Sequence, residues 1–188
     1  REGSEILVQV ESNLDSVELF LNGRSLGSKK IEPHYTLEWM VNYAPGVLEA
    51  RGTKDGKTIM SAKRETTGAP AQIVLTADRS EIRADGQDVA IVRVEAIDEK
   101  GRLVPTSGNL IHFEISGDGA LIGVGNGDPN CHESDKGDQR SLFNGAAQAI
   151  LQASKTPGPL TIQAVSPGLR PASLVITTKP VKLYPAVP

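Results

Sequence analysis

The sequence predicts an all-β fold: two consecutive antiparallel β-sandwich domains of immunoglobulin-like build. Three observations predict it. Apolar and polar residues alternate with a period of two along most of the chain, as half-buried strands do, because successive side chains leave a strand on opposite faces. Turn dipeptides separate these runs at short, fairly regular intervals: Asn22-Gly23, Pro45-Gly46, Asp55-Gly56, Asp85-Gly86 and Lys100-Gly101. Finally, "TTGAPAQI" interrupts the alternation with Gly68 and Pro70 and divides the chain into residues 1–67 and 68–179.

In the first part, Ile6, Val8 and Val10 share one face of a strand, and Val17, Leu19 and Leu21 one face of the next. "HYTLEWMVNY" places Tyr35, Leu37, Trp39, Val41 and Tyr43 on a common face, with His34 opening that strand. No helix-length apolar stripe occurs, so residues 1–67 read as a small antiparallel sandwich. From Ile73 the pattern resumes. Ala90, Val92, Val94 and Ala96 face one way, as do Ile111, Phe113 and Ile115, with His112 on the opposite face from Phe113. "AAQAILQAS", "LTIQAVSPG" and "SLVITT" complete about seven short strands over roughly 110 residues, the count expected of an immunoglobulin-like sandwich. The Cys…Trp…Cys spacing of antibody domains is missing, since Trp39 lies in the first part and Cys131 is the only cysteine. Residues 180–188, "PVKLYPAVP", read as an extended tail.

Composition narrows the function. Hydrophobic residues make up 38% and charged residues 23% of 188, with a formal net charge of -3 and both signs interspersed. No basic face invites nucleic acid, and no apolar run is long enough to span a membrane. The chain lacks an initial Met and enters a strand almost at once, so it reads as an excised piece of a longer protein. Aromatic residues are 4%, and Trp39 falls within a strand pattern, which equips the chain poorly for stacking on sugar rings.

One segment, about Gly117 to Gly145, does not alternate, and long loops of this kind serve binding, interdomain packing or disorder. Asp128, Asn130, Glu133, Asp135 and Asp138 offer oxygen ligands, but their order does not match the helix-loop-helix calcium loop. Cys131 and His132 are adjacent with no second such pair, so neither a closed zinc site nor a nucleophile with its base is indicated. Gly123, Gly125 and Gly127 resemble a phosphate-binding turn without the helix such a turn must open. The plain alternative is a loop in which glycines allow close backbone approach, Asp128-Pro129 turns the chain, and charged groups satisfy loop amides or a neighbouring domain. No metal and no cofactor is expected.

Longer strings go further. "VESNLDSVELFLNGRSLGSKK", the Trp39 to Gly52 pattern W-x-V-x-Y-x-P-G-x-L-x-A-x-G, "ETTGAPAQIVLTADRSEIRADGQDVAIVRVEAID" and "GVGNGDPNCHESDK" followed by "RSLFNGAAQAILQAS" resemble the C-terminal region of bacterial β-galactosidases of glycoside hydrolase family 2, notably those of gut Bacteroidetes. The resemblance covers nearly the whole chain to about Thr178. It implies accessory sandwiches that follow a TIM barrel carrying two catalytic glutamates, in a parent that hydrolyses terminal β-galactosides with retention. None of the barrel motifs is present, so no catalytic residue is carried over and the chain is expected to be inactive alone. The resemblance implies the parent's catalytic barrel as partner, with galactoside glycans as a second candidate, and the periplasm or the cell exterior as location. On this reading the "GVGNGDPNCHE" loop docks on the barrel or lines its cleft rim, with Asn126, Asp128, His132, Glu133 and Arg140 as its polar groups. Two rival readings are a bacterial surface adhesion module of immunoglobulin-like type and a carbohydrate-binding module.

Overall fold

The computed structural model describes residues 2–32 and 35–182. His34 and most of the expected tail, residues 183–188, lie outside the described residues. The chain forms two compact units, residues 1–66 and 67–188, and is all-β in both.

The first unit contains β1 (Glu5–Val10), β2 (Ser16–Leu21), β3 (Arg24–Lys30), β4 (Leu37–Asn42), β5 (Val47–Lys54) and β6 (Lys57–Glu65). β1 pairs with β4, and the other sheet runs β3-β2-β5-β6. The alternation selects the core directly: Val17 and Leu19 of β2 face Leu37, Trp39 and Val41 of β4, all buried. Two expectations for this stretch change. Tyr35 precedes β4 and is 73% exposed, because its amide closes a turn onto the Glu32 carbonyl instead of joining the strand. Tyr43 is only half-buried, its hydroxyl 3.3 Å from Thr66 Oγ1. The turn after β2 is built on Asn22 and Gly23, with φ of 51° and 79°. Such paired positive values match the twist of a two-residue hairpin. Asn22 also fixes the next hairpin, accepting from the Val47 amide through Oδ1 and donating to the Pro45 carbonyl through Nδ2.

The second unit contains β7 (Gln72–Ala77), β8 (Glu81–Arg83), β9 (Val89–Ile97), β10 (Leu110–Gly117), β11 (Gly119–Gly125), β12 (Gln139–Ser141), β13 (Ala146–Ala153), β14 (Gly158–Val165) and β15 (Ala172–Lys179). One sheet runs β12-β10-β14-β15-β8 and the other β11-β13-β9-β7. Among the described residues the strand pairs of this unit are antiparallel except β8 with β15. The facing layers differ in size. Ala90, Val92, Val94 and Ala96 of β9 and Ala147, Ala149, Leu151 and Ala153 of β13 oppose Ile111, Phe113, Leu160, Ile162 and Ile176. Small residues on one layer let larger ones on the other interdigitate at interior density. Burying a side chain such as Leu160, which is fully shielded, contributes about 1.5–3 kcal/mol.

The segment 117–145, expected to be one long loop, contains two strands, so the irregular part shortens to residues 126–138. Two features hid them. A bulge between Leu121 and Gly123 shifts the register of β11 and spoils its alternation. At Gly117 the chain leaves one sheet for the other with φ +94°, and a Cβ there would sit 2.1 Å from the Pro159 carbonyl oxygen, so only glycine fits. Gly123 and Gly125 are accordingly strand residues, and of the three alternating glycines only Gly127 has a positive φ.

Asp98 braces the start of the unit. Its carboxylate is buried and accepts the amides of Gly68, Lys100 and Arg102 and the guanidinium of Arg102. The Arg102 fork, seconded by those amides and opposed by burial, holds the carboxyl well below the usual carboxylate range.

Candidate functional site

The Asn126–Asp138 loop connects β11, at the edge of one sheet, to β12, at the edge of the other. Arg140 organises it. On β12, Arg140 pairs with Ile111 across the sheet and, like Ile111, points between the layers, where it is 1% exposed. Its Nη2 donates to the Val124 carbonyl of β11 at 3.1 Å, joining the two sheet edges, and to Asp135 Oδ1 at 2.6 Å. Nη1 donates to Cys131 Sγ at 2.9 Å. Nε is buried without a hydrogen-bond partner, with Glu133 Oε2 3.9 Å away. Burial disfavours the charged guanidinium, but the bonds to Asp135 and Cys131 outweigh it and hold its pKa above the ordinary arginine value.

The remaining polar groups hold the loop to itself. Asn126 donates to the Ser141 carbonyl at 3.0 Å and accepts the Asp128 amide through Oδ1. Asp128 Oδ1 accepts the Asn130 amide, while its carbonyl accepts the Cys131 amide in a turn at the expected Asp128-Pro129 position. Glu133 Oε2 accepts the Ser141 amide at 2.8 Å. Hydrogen bonding to the Ser141 side chain, then that amide contact and the charge of Arg140, lower the Glu133 pKa against the opposing effect of burial. The Val124 amide bonds the Asp135 carbonyl, so the loop folds back along β11.

The five residues singled out from sequence thus separate. Arg140 lies in the core, Asn126 and Asp128 are half-buried and brace the turn, Glu133 ties the loop to β12, and His132 is left exposed. Cys131 and Asp135, which were not singled out as a pair, supply two of the guanidinium's bonds. Their signal was Arg140 itself, which alternates with Leu142 and so occupies an inward position in "QRSLF". The loop carboxylates serve as acceptors for amides and a buried cation. An acid/base pair would need two carboxyl groups set across a cleft. Among the described residues no group of three or more His, Cys, Asp or Glu is placed to hold a metal ion. Beside the loop, Ile91, Arg93, Gly125, Asn126, Gly127 and Gln148 line a shallow depression.

The model for glycoside hydrolase family 2 C-terminal domain 5 matches residues 73–175, more than half of the sequence. The chain belongs to glycoside hydrolase family 2. A domain of unknown function (DUF4982) matches residues 3–60, in the first unit. Among curated proteins, the family 2 chain is 39% identical over 166 residues to the β-galactosidase BoGH2A of Bacteroides ovatus, covering 88% of this chain and 20% of that protein. It is 35% identical over 161 residues to a putative β-glucuronidase of Formosa agariphila, covering 84% of this chain and 16% of that protein. Among solved structures, a glycosyl hydrolase family 2 member from Bacteroides cellulosilyticus superimposes with a TM-score of 0.93 at 37% identity, covering 95% of this chain and 23% of the other. The chain therefore spans about a fifth of the length of the curated relatives it matches.

Proposed function

We propose that these residues are a non-catalytic accessory region of a larger family 2 glycosidase, bracing its catalytic barrel. The 126–138 loop is the docking element. The observation that carries this reading is the organisation of the loop around the buried Arg140 guanidinium, with His132 held outward. A protrusion fixed from below loses little further freedom when it meets a partner, which suits a docking contact. The similarity to a β-galactosidase supports terminal β-galactosides as the parent's substrate, by retaining hydrolysis. The similarity to a β-glucuronidase makes the sugar at the parent's catalytic centre the first point to test. Periplasmic or extracellular residence follows from the same reading.

The deciding experiment uses the full-length parent enzyme. Asp128→Ala and His132→Ala are expected to leave kcat/KM unchanged while lowering the temperature of inactivation. A fall in kcat/KM with no loss of stability would place the loop at the cleft rim instead. The isolated 188-residue chain is expected to give no hydrolysis of aryl β-galactosides or β-glucuronides, and activity there would overturn the accessory reading.

A further inference from the structure

Among the described residues the first unit has two strands facing four. Strands in a sheet lie about 4.8 Å apart, so a two-stranded layer cannot cover a four-stranded one, and burial falls across the unit accordingly. On β4 the inward residues Leu37, Trp39 and Val41 are all buried. On β1, their cross-strand partners Val10 and Val8 are half-buried and Ile6 is 38% exposed. Under β1 lie the inward residues of β5 and then of β6. Leu19 of β2 aligns with Ala50 of β5 and Ala62 of β6, and Leu21 with Leu48 and Arg64. Leu19 is 1% exposed, Ala50 and Leu48 are half-buried, and every residue of β6 is exposed. The result is a groove with Val8 and Val10 on one side, Leu48 and Ala50 on its floor, and Ala62 and Arg64 on the other side.

Among the described residues β1 pairs with a strand on one side only, and the groove runs along its other side. A strand edge with no strand partner among the described residues, above an apolar floor, specifies its occupant. It must be extended, must pair with β1 through the main chain, and must turn small or apolar side chains inward at alternate positions. The chain also turns at Glu2 and Gly3, with Gly3 at φ +81°, immediately before β1. A reversal there is what a preceding strand needs to lie back antiparallel beside β1, and strands consecutive in sequence usually neighbour one another.

We infer that the groove between β1 and β6 is a strand-accepting site, filled by the parent polypeptide's own residues immediately upstream of this turn, which convert the two-stranded layer into three. The inference rests on the reading that these residues belong to a longer chain, as their coverage of about a fifth of their relatives supports.

The test compares three proteins carrying Ala62→Cys: the 188-residue chain, the same chain with about 15 upstream residues from its reading frame (one strand and a turn), and the full-length parent. Maleimide labelling is read by peptide mapping, with Met40→Cys, on the outward face of β4, as the control. The upstream residues alone should slow labelling at position 62 by tenfold or more, leave position 40 unchanged, and slow hydrogen exchange at the β1 amides. Unchanged labelling in all three would show that the groove stays open and overturn the proposal. Protection in the full-length parent without protection by the short extension would assign the groove to another element and overturn it equally. Protection by the extension in a parent without a glycosidase barrel would sink the family function and leave this inference standing.

Discussion

Replacing Arg140 by Ala tests whether the buried guanidinium holds the second unit together. The loss has three parts. The Val124 carbonyl sits on a residue only 5% exposed, and leaving it without its Nη2 donor costs about 1–3 kcal/mol. Removing the arginine stem beyond Cβ from between the layers strips about two methylenes of burial, about 0.8 kcal/mol each. The ion pair with Asp135 contributes about 0–1 kcal/mol, because that carboxylate is 86% exposed and stays solvated once its partner is gone. Together these give about 4 kcal/mol. For a unit of about 120 residues the unfolding entropy makes that a fall of about 15 °C in Tm. Differential scanning calorimetry of the 188-residue chain is the assay, with the second unit's transition moving and the first unit's staying in place. Arg140→Lys should recover less than half, since one ammonium cannot reach Cys131, Val124 and Asp135 together as the planar fork does. A Tm for Arg140→Ala within 2–3 °C of the wild type, less than about 1 kcal/mol, would refute the reasoning.

Other expectations are separable. Asp98 has a lowered pKa in the folded state, so its contribution is full above the unfolded value of about 3.9 and is lost as pH falls through the folded one. Asp98→Asn should be less stable at neutral pH and show a flatter loss between about pH 4 and pH 2 in urea titrations, and an unchanged acid limb would exclude this role. Gly117→Ala places a methyl 2.1 Å from the Pro159 carbonyl oxygen, whereas Gly127→Ala meets open space at a similar positive φ. The second should cost about 1–2 kcal/mol and the first clearly more, and equal denaturation midpoints would contradict the steric argument. Leu19→Ala should cost about 2–5 kcal/mol, read in the first unit's transition alone.

The strands and the core were the legible part. Ala90 to Ala96, Ile111 and Phe113, and Leu37 to Val41 announced their inward faces by alternation, because each lies on a regular strand with one face buried. Where a local irregularity displaces the period, legibility ends. The bulge in β11 made a strand read as loop, and β12, at three residues, is too short to show a period. Arg140 reads as a docking or rim group although its alternation with Leu142 marks an inward position, because arginine is rarely buried and its Cys131, Val124 and Asp135 partners come together only through the fold. Asp98 went unnoticed for the same reason: its partners are chiefly backbone amides, which every residue but proline possesses. The exposed inner face of β6 is legible only in the pairing order, since nothing in "KTIMSAKRE" reveals that the opposite layer has two strands against four among the described residues.

The parallel pairing of strands β8 and β15 has a mechanical consequence. These strands lie near the two ends of the second unit's sequence and run in the same direction. A pull on the N-terminal end of β8 against the C-terminal end of β15 would drag one strand lengthwise past the other, so Glu81, Ile82 and Arg83 and their partners Thr177, Thr178 and Lys179 would share the load at once. An antiparallel pair pulled from one end would open rung by rung. The Lys179–Glu81 ion pair ties the same two strands, and the Gln72–Arg170 bridge, also parallel, ties the start of β7 to the segment before β15.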